Sequence, residues 1–268
     1  MKSDGRDILQ RVTRGGVTLV GNLEGPVPFG FTERTGGVSS APYTSLNLGT
    51  HVEDDPVAVA ENRRRVLAAL GAEPFADRLI VPNQVHGSHI VTIADNAPAA
   101  VEVARAEATA GADAVVCTAS DVPVLLCFAD CVPVVLVAPC AFAVVHSGWK
   151  GTVAGIAGLA ARELVRASGC RPEDIRAYIG PHILGDEYEV SEELMERFRN
   201  SFPNTRVGEG RLLDLSACIR ASLRDAGVAD EDIWDTGLST MKDNDRFFSY
   251  RAENGRCGRH GAIAMLRG

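Results

Sequence analysis

The sequence predicts a mixed α/β domain in which helices cover buried strands. Three apolar runs, at residues 122–128, 132–137 and 141–145, have the length and the Val/Leu content of strands that are buried on both faces. Helix signals alternate with strand signals along the rest of the chain, which is typical of a layered α/β domain. No shift in composition marks a linker, so we expect residues 1–268 to form a single domain.

The composition is that of a globular protein with an acidic balance of charges. Of the 268 residues, 46% are hydrophobic and 23% are charged, and the formal net charge is −8. Such a chain can bury a large core. The acidic balance argues against nucleic acid as a partner, because the one Lys/Arg cluster that stands out, at residues 63–65, is interpreted as the solvated face of a helix.

The cysteines and the N-terminal sequence predict a cytoplasmic protein that does not enter a membrane. The seven cysteines are odd in number and form no Cys-x-x-Cys pair, which is typical of reduced thiols. The opening MKSDGRDILQ lacks the apolar core of a secretion signal. Residues 122–145 are interrupted by Asp130 and by three prolines, so we interpret them as buried sheet rather than as a membrane span.

The predicted elements begin with a hairpin, a short strand and a helix. The hairpin covers residues 7–22 and turns at a glycine pair, and the strand begins at Phe29. Asp55 is a favourable N-cap, the next residue is a proline, and Gly71 ends the apolar spacing. These signals predict a helix that covers a sheet.

The loop between that strand and that helix is rich in hydrogen-bond donors. Arg34 provides a fixed cation, Gly36 and Gly37 provide backbone amides, and Ser39 provides a hydroxyl group. This density of donors could hold an anion. The alternative is a plain Gly-Gly loop.

A histidine lies in the turn between the next two predicted strands, at residues 79–81 and 90–93. His86 follows the amides of Asn83 and Gln84 and precedes a glycine. This arrangement lets the imidazole face a pocket. The alternative is a turn histidine that faces water.

The rest of the chain continues to alternate helices and strands. Residues 97–112 are rich in alanine and fit either a short helix or an ordered loop. The elements after the central apolar runs are a helix over 150–168 with small residues on one face, a strand over 175–179 that leads to His182, helices over 191–200 and 214–226, and a closing strand over 263–266.

Residues with metal-binding chemistry follow the predicted strand ends. The tripeptide Ala129-Asp130-Cys131 separates two apolar runs, and the third run leads to His146. Together with His86 they supply one Cys and two His, a good ligand set for Zn²⁺ with the fourth position open. The separations of 45 and 15 residues match no spacing motif, so the prediction depends on strand-end turns of one sheet converging.

Two alternatives use the same atoms without a metal. Cys131 and His146 could form a thiolate–imidazole pair for acyl transfer, with Asp130 or Gln84 as the orienting group. That arrangement predicts a metal-independent Cys-His hydrolase or deamidase. In the plainest alternative, Cys131 is a small buried hydrophobic residue and the domain only binds a partner.

The sequence resembles the YfiH-like laccase-domain family, also called multicopper polyphenol oxidases. The matching segments are, in order, FTERTGGVSSAPYTSLNLG, VAENRRRVLAALG, NQVHG, ADAVV, ADCVPVVL, VVHSGWKGTVAGI, YIGP, YEV and FFSYR. They extend from about Phe29 to Gly261. The length and order of these segments make the resemblance specific.

The resemblance implies a fold, a metal site and an activity. The fold is a cytoplasmic domain of two packed mixed β-sheets flanked by helices, and the metal is Zn²⁺, sometimes described as Cu²⁺, with ligands that map onto His86, Cys131 and His146. The activity is that of a purine nucleoside phosphorylase for adenosine, inosine and methylthioadenosine, with adenosine deaminase activity. Purine nucleosides and phosphate are therefore the expected partners, and the sequence sets no oligomeric state.

Substrate contacts are expected at six positions, with phosphate near Arg34 or Lys150. These positions are Arg34, Ser39, Asn83, Gln84, Lys150 and Arg251. The family's older name implies the alternative of a copper polyphenol oxidase (laccase), but such an enzyme needs many clustered histidines and this chain has six, scattered along its length. The chain departs from the family pattern at His182, Glu187 and Ser239, so no fourth metal ligand or redox role is predicted there.

Overall fold

Two large β-sheets lie face to face in the structure, a computed structural model that describes residues 9–268. The strands are β1 Gln10–Arg14, β2 Val17–Asn22, β3 Phe29–Thr32, β4 Ile90–Ile93, β5 Ala114–Cys117, β6 Val124–Phe128, β7 Val132–Ala138, β8 Ala141–Ser147, β9 Arg176–Ile179, β10 Gly208–Glu209, β11 Leu212–Leu213, β12 Ile233–Asp235 and β13 His260–Ala264. The α-helices are α1 Pro56–Leu70, α2 Pro98–Ala110, α3 Trp149–Val153, α4 Ile156–Ser168, α5 Glu192–Ser201 and α6 Leu215–Asp225. The predicted α/β fold class is confirmed.

The two sheets differ in the direction of their strands. The five-stranded sheet has the order β1-β2-β3-β13-β6, and its strands pair antiparallel. Ile80 extends its edge by one parallel bridge to Val124. The six-stranded sheet has the order β12-β9-β7-β8-β5-β4 and is mixed, because β4 pairs parallel with β5 and β12 pairs parallel with β9.

The apolar runs are continuous because both faces of their strands are covered. In β8, Phe142 and Val144 face the layer between the sheets, while Ala143 and Val145 face the helices on the other side. This alternation follows from the period of two along a strand. Helices α4 and α6 cover the six-stranded sheet, and α1 covers the five-stranded sheet. Each fully buried large apolar side chain contributes about 1.5–3 kcal/mol.

Several predicted ends are confirmed by their hydrogen bonds. The Asp55 side chain accepts from the Val57 backbone N–H at 2.9 Å, and Gly71 ends α1 with a φ of 84°. The hairpin turns at the predicted glycine pair, although residues 7 and 8 lie outside the described residues. The alanine-rich segment 97–112, which fitted either a helix or a loop, contains helix α2.

Three predicted elements are wrong in detail. Residues 79–81 form a single bridge rather than a strand, because a 3₁₀ helix precedes them and only Ile80 pairs. The predicted helix over 150–168 is two helices, because Gly155 adopts a φ of 73° and interrupts the ladder. Strand β13 starts at His260, earlier than predicted, where it pairs with Phe128.

The predicted solvated helix face at residues 63–65 is confirmed only in part. Arg63 is half-buried and donates to the Leu48 carbonyl.

The length and hydropathy of the helices bear on membrane insertion. Within residues 9–268, every helix falls short of the length and apolar content that a membrane span requires.

Candidate metal centre and active site

The three predicted ligands converge at the rim of the layer between the sheets. The ligand atoms of His86, Cys131 and His146 all lie within 4.8 Å of one another. The His86 and His146 rings meet edge to face, with centroids 4.8 Å apart. This convergence of one thiol and two imidazoles fits a transition-metal ion with N and S ligands.

The ligands lie at one edge of the six-stranded sheet, next to the crossover from the five-stranded sheet. Strand β6 belongs to the five-stranded sheet and β7 to the six-stranded sheet, so Ala129-Asp130-Cys131 is the crossover between them. His146 lies inside β8, opposite Pro133, and shares its face with Phe142 and Val144. The prediction that strand-end turns of one sheet converge is therefore confirmed for the six-stranded sheet, because Cys131 directly precedes β7, His146 lies near the end of β8 and His86 precedes β4.

Asp113 orients this cluster, and sequence reasoning missed it. The carboxylate is fully buried, and its Oδ1 lies 2.8 Å from His146 Nδ1. It also accepts from the backbone N–H groups of Val85 at 3.3 Å, His86 at 2.9 Å and Gly87 at 2.6 Å. With Nδ1 donating to Asp113, Nε2 of a neutral His146 carries the lone pair that a metal needs. The available signal was a lone carboxylate at the start of an apolar strand.

The electrostatics favour a thiolate at Cys131. Burial would raise the pKa of the Cys131 thiol, but the charge of His146 and hydrogen bonds from His146 and His86 lower it to about 6. Burial would likewise lower the pKa of His146, yet Cys131 and Asp113 raise it to about 9. Burial opposes the ionised form of Asp113, while its bonds to His146 and the backbone lower its pKa overall. The cluster thus holds an anionic sulfur before any metal binds.

Two residues near the sulfur have left-handed backbone conformations. His86 has a φ of 59°, and its N–H is held by Asp113. Asp130 has a φ of 81°, and its carboxylate accepts from the Thr240 hydroxyl and the Arg251 N–H, both at 2.7 Å. Such conformations cost roughly 1–3 kcal/mol and persist where the surroundings hold them. Asp130 therefore ties the C-terminal segment to the site and does not orient His146.

Gly148 makes room for the cluster. A Cβ atom at this position would lie 3.0 Å from His86 Cδ2 and 3.1 Å from Cys131 Sγ. Both distances are shorter than ordinary van der Waals contact, so a larger residue would push the ligands apart. The absence of a side chain at Gly148 fits the close approach of the three ligands.

The cluster opens into a cavity of about 450 Å³. Of the predicted substrate-binding residues, Gln84 and Arg251 line it, together with Tyr188, Tyr250 and Arg259. The Gln84 amide exchanges two 2.8 Å hydrogen bonds with the Cys127 backbone, so it braces the cavity wall and does not contact His146. The cavity combines aromatic faces, cations and the candidate metal site, which is typical of a small-molecule site.

Arg34 lies outside this cavity. Its guanidinium contacts both Glu253 oxygens at 3.1 Å and stacks over Phe248 at 4.2 Å, and Nε donates to the Thr44 carbonyl at 3.1 Å. Only 14% of its side chain is exposed. These contacts are those of a structural arginine, and the phosphate role predicted for it stays a prediction.

Replacement of Arg34 by alanine is expected to lower stability. The change leaves Glu253 without its bidentate partner, which costs roughly 1.5–3 kcal/mol per charge-assisted contact. The melting temperature of Arg34→Ala tests the structural role of this side chain, and its phosphate KM tests the predicted phosphate contact. A raised phosphate KM at unchanged melting temperature would instead support the predicted phosphate contact.

The remaining predicted substrate-binding residues also lie outside this cavity. Ser39 donates to Asp54 at 2.6 Å inside the loop, and Lys150 Nζ lies over the Trp149 ring at 5.5 Å. The Asn83 backbone N–H donates to the Ala108 carbonyl in α2, its carbonyl accepts from the Ala112 N–H, and Asn83 does not line the cavity. Substrate roles for these three residues remain predictions.

The positions that depart from the family pattern bind one another. The Ser239 hydroxyl donates to Glu187, at 2.8 and 2.7 Å from its two oxygens, and the buried His182 ring contacts the Gly180 carbonyl at 2.8 Å. The backbones of His182 and Ser239 form a parallel bridge. These contacts brace the C-terminal segment that carries Arg251.

Comparisons with known proteins agree with this geometry. Residues 28–267 match the family model described as multi-copper polyphenol oxidoreductase laccase. The chain is 41% identical over 263 residues to a purine nucleoside phosphorylase of Deinococcus radiodurans, which covers 95% of both chains. It is 36% identical to the purine nucleoside phosphorylase YlmD of Geobacillus stearothermophilus, over 94% of this chain and 95% of that one.

Solved structures show the same fold. The crystal structure of YlmD from Geobacillus stearothermophilus matches with a TM-score of 0.84 and 33% identity, over 98% of this chain and 100% of that one. The crystal structure of the Bacillus licheniformis hypothetical protein YfiH matches with a TM-score of 0.84 and 30% identity, over 96% and 98%. This chain therefore belongs to the YfiH-like laccase-domain family.

Proposed function

We propose that the protein is a purine nucleoside phosphorylase that binds Zn²⁺ through His86, Cys131 and His146 and also deaminates adenosine. The observation that carries the proposal is the convergence of these ligands in a cavity of about 450 Å³, in a chain 41% identical to a relative named purine nucleoside phosphorylase. That volume lies within the range of small-molecule sites. Purine nucleosides and phosphate are the proposed partners.

The residues of the cavity suit a nucleoside. Tyr188 and Tyr250 offer aromatic faces for a purine ring, and Arg251 lies 5.4 Å from the Tyr188 ring. When bound, the metal would supply Lewis acidity toward a water or substrate oxygen. Asp113 holds His146 in one tautomer, and Gly148 lets the ligands approach, so the site is preorganised by the chain itself.

The two proposed reactions differ in what they consume. In phosphorolysis, an oxygen of hydrogen phosphate bonds to ribose C1′ while the C1′–N9 bond breaks, and the phosphate proton ends on the purine. In deamination, water replaces the C6 amino group of adenine and ammonia leaves. Only the first reaction requires phosphate, so the two activities can be separated by its omission.

A metal-independent Cys-His hydrolase is the second candidate, and one observation favours it. Cys131, His146 and the buried Asp113 form a thiolate–imidazole–carboxylate series, which is also how cysteine nucleophiles are activated. Two results together would exclude the metal-independent hydrolase. Untagged protein would contain stoichiometric metal, and activity lost on treatment with a chelator would return when Zn²⁺ is added. Cu²⁺ in place of Zn²⁺ is tested by the same reconstitution.

A copper polyphenol oxidase is less well supported by the positions of the histidines. His89 contacts Glu107 at the surface, His182 binds the Gly180 carbonyl, and His260 packs between Phe128 and Phe247. Only His51 shares the cavity with the two ligand histidines. A multicopper cluster needs several more.

A nucleoside panel tests the proposal directly. Purified protein with adenosine, inosine or methylthioadenosine is expected to yield free base and ribose 1-phosphate only when phosphate is present, as read by chromatography. Adenosine without phosphate is expected to yield inosine. Absence of base release from every nucleoside with phosphate and Zn²⁺ would contradict the phosphorylase function.

A further inference from the structure

A wall that carries Arg259 lies between the metal-site cavity and a smaller cavity beside it. The second cavity, of about 280 Å³, shares Tyr250, His51 and Arg259 with the first. Arg259 is half-buried, unlike the exposed Arg251 in the same cavity.

The Arg259 guanidinium is anchored on one side and available on the other. Nη1 donates to the Cys257 and Gly258 carbonyls, both at 2.9 Å. Within residues 9–268, Nε and Nη2 have no hydrogen-bond partner and no carboxylate lies within 4 Å of the guanidinium. An arginine that is fixed in place without an acidic partner is suited to bind an oxyanion in a bidentate manner.

A buried asparagine sets His51 beside this arginine. Asn47 Oδ1 accepts from the backbone N–H of Arg259 at 2.8 Å and from that of Gly49 at 3.0 Å. Its Nδ2 donates to Asp54 at 2.8 Å, which closes the loop that carries His51. The hydrogen bonds of the buried Asn47 therefore fix the backbone of Arg259 and of the loop that carries His51.

Gly49 allows the Arg259 and His51 side chains to meet. A Cβ atom on it would lie 2.8 Å from Arg259 Cγ and 3.3 Å from His51 Cε1. The first distance cannot be accommodated without a shift of the arginine stem. The loop thus has the shape that brings His51 and Arg259 together.

The charges around His51 are mixed, because Arg259 and Arg63 are cationic while Glu53 lines the second cavity and Asp130 and Cys131 line the first. Partial burial of its ring and the charges of the nearby Arg259 and Arg63 lower the pKa of His51, so its imidazole is neutral at pH 7. Arg63 binds the Leu48 carbonyl and, within residues 9–268, has no acidic partner within 4 Å. The guanidinium groups of Arg259 and Arg63 would attract a bound dianion.

We propose that Arg259 and His51 form the phosphate subsite of this enzyme. The subsite deepens the proposed phosphorylase function and rests on it. Hydrogen phosphate held at this wall would face a nucleoside in the metal-site cavity, where its oxygen bonds to C1′ as the C1′–N9 bond breaks and its proton passes to the purine. Arg259 compensates the charge of the phosphate and the neutral His51 offers it a hydrogen bond, while the aromatic wall with Tyr188 and Arg251 is left for the nucleoside.

Kinetics of Arg259→Lys and Arg259→Met test this subsite. The phosphate KM is expected to rise roughly ten- to a hundredfold in Arg259→Met, and less in Arg259→Lys, while the nucleoside KM stays within about threefold. Arg64→Met is the control, because Arg64 is exposed, pairs with Glu61 and Glu73, and lies outside both cavities. It is expected to leave both KM values unchanged.

Phosphate binding without turnover gives an independent measurement. Inorganic phosphate is expected to raise the melting temperature of the Zn²⁺-loaded wild type and of Arg64→Met, but not that of Arg259→Met. An equal response to phosphate in wild type and Arg259→Met, or no response in any of them, would overturn the subsite. Phosphate-dependent base release with an unchanged phosphate KM in Arg259→Met would overturn the subsite and leave the phosphorylase function standing. A phosphate-induced shift that depends on Arg259 in a protein that releases no base would support the subsite while the phosphorylase function falls.

Discussion

Replacement of Cys131 by alanine is expected to abolish metal binding and phosphorolysis together. Cys131 supplies the only sulfur of the cluster, and its pKa of about 6 makes it an anion near neutral pH. Two neutral imidazoles without it form a much weaker site. Because loss of a group that only orients a ligand already costs roughly 10–100-fold in affinity, loss of the thiolate should cost more. Metal content by elemental analysis and base release measure the two effects.

The control for this substitution is a cysteine far from the cluster. Cys140 is exposed, and Cys140→Ala should retain full metal content and activity. Cys131→Ser should fall between wild type and Cys131→Ala in metal affinity, because its hydroxyl is a poorer ligand than a thiolate. Full metal occupancy in Cys131→Ala would exclude Cys131 as a ligand. Full activity in metal-free wild-type protein would favour the metal-independent hydrolase.

Replacement of Asp113 by asparagine is expected to weaken metal binding without removing any ligand. The carboxylate accepts from His146 Nδ1 and from three backbone N–H groups, and the amide NH₂ of asparagine would face some of these donors. Metal affinity should fall roughly 10–100-fold, because His146 loses its fixed tautomer and His86 its turn. Each buried donor left without an acceptor should cost about 1–3 kcal/mol of stability.

Asp130→Asn is the matched control for Asp113→Asn. Asp130 also lies beside the cluster, but it accepts from Thr240 and Arg251 and from neither ligand histidine. Its variant should keep wild-type metal affinity within a few fold while the nucleoside KM rises. Competition with a chromogenic chelator measures the affinity. If the Asp113 and Asp130 variants bind metal equally well, Asp113 is not the orienting group.

The sequence by itself determined the layered fold class and the three candidate ligands. Continuous apolar runs of strand length predicted sheet buried on both faces, because only such sheet tolerates apolar residues at successive positions. The ends of α1 were readable because capping by Asp55 and the left-handed Gly71 are local effects. Cys131 and His146 could be identified because they interrupt or end apolar runs. Burial of a polar side chain at such a position costs free energy unless it has a partner.

Tertiary structure alone decided how those residues are held and which cations reach the cavity. The crossover that carries Cys131 changes sheet, and strand signals do not say which sheet a strand joins. Arg34 pairs with Glu253, which is 219 residues away, whereas Arg259 faces the cavity and has no acidic partner within 4 Å among residues 9–268. Asp113 lies 27 residues from His86 and 33 from His146. Contacts between residues so far apart depend on the packing of whole layers, and no local pattern in the chain encodes them.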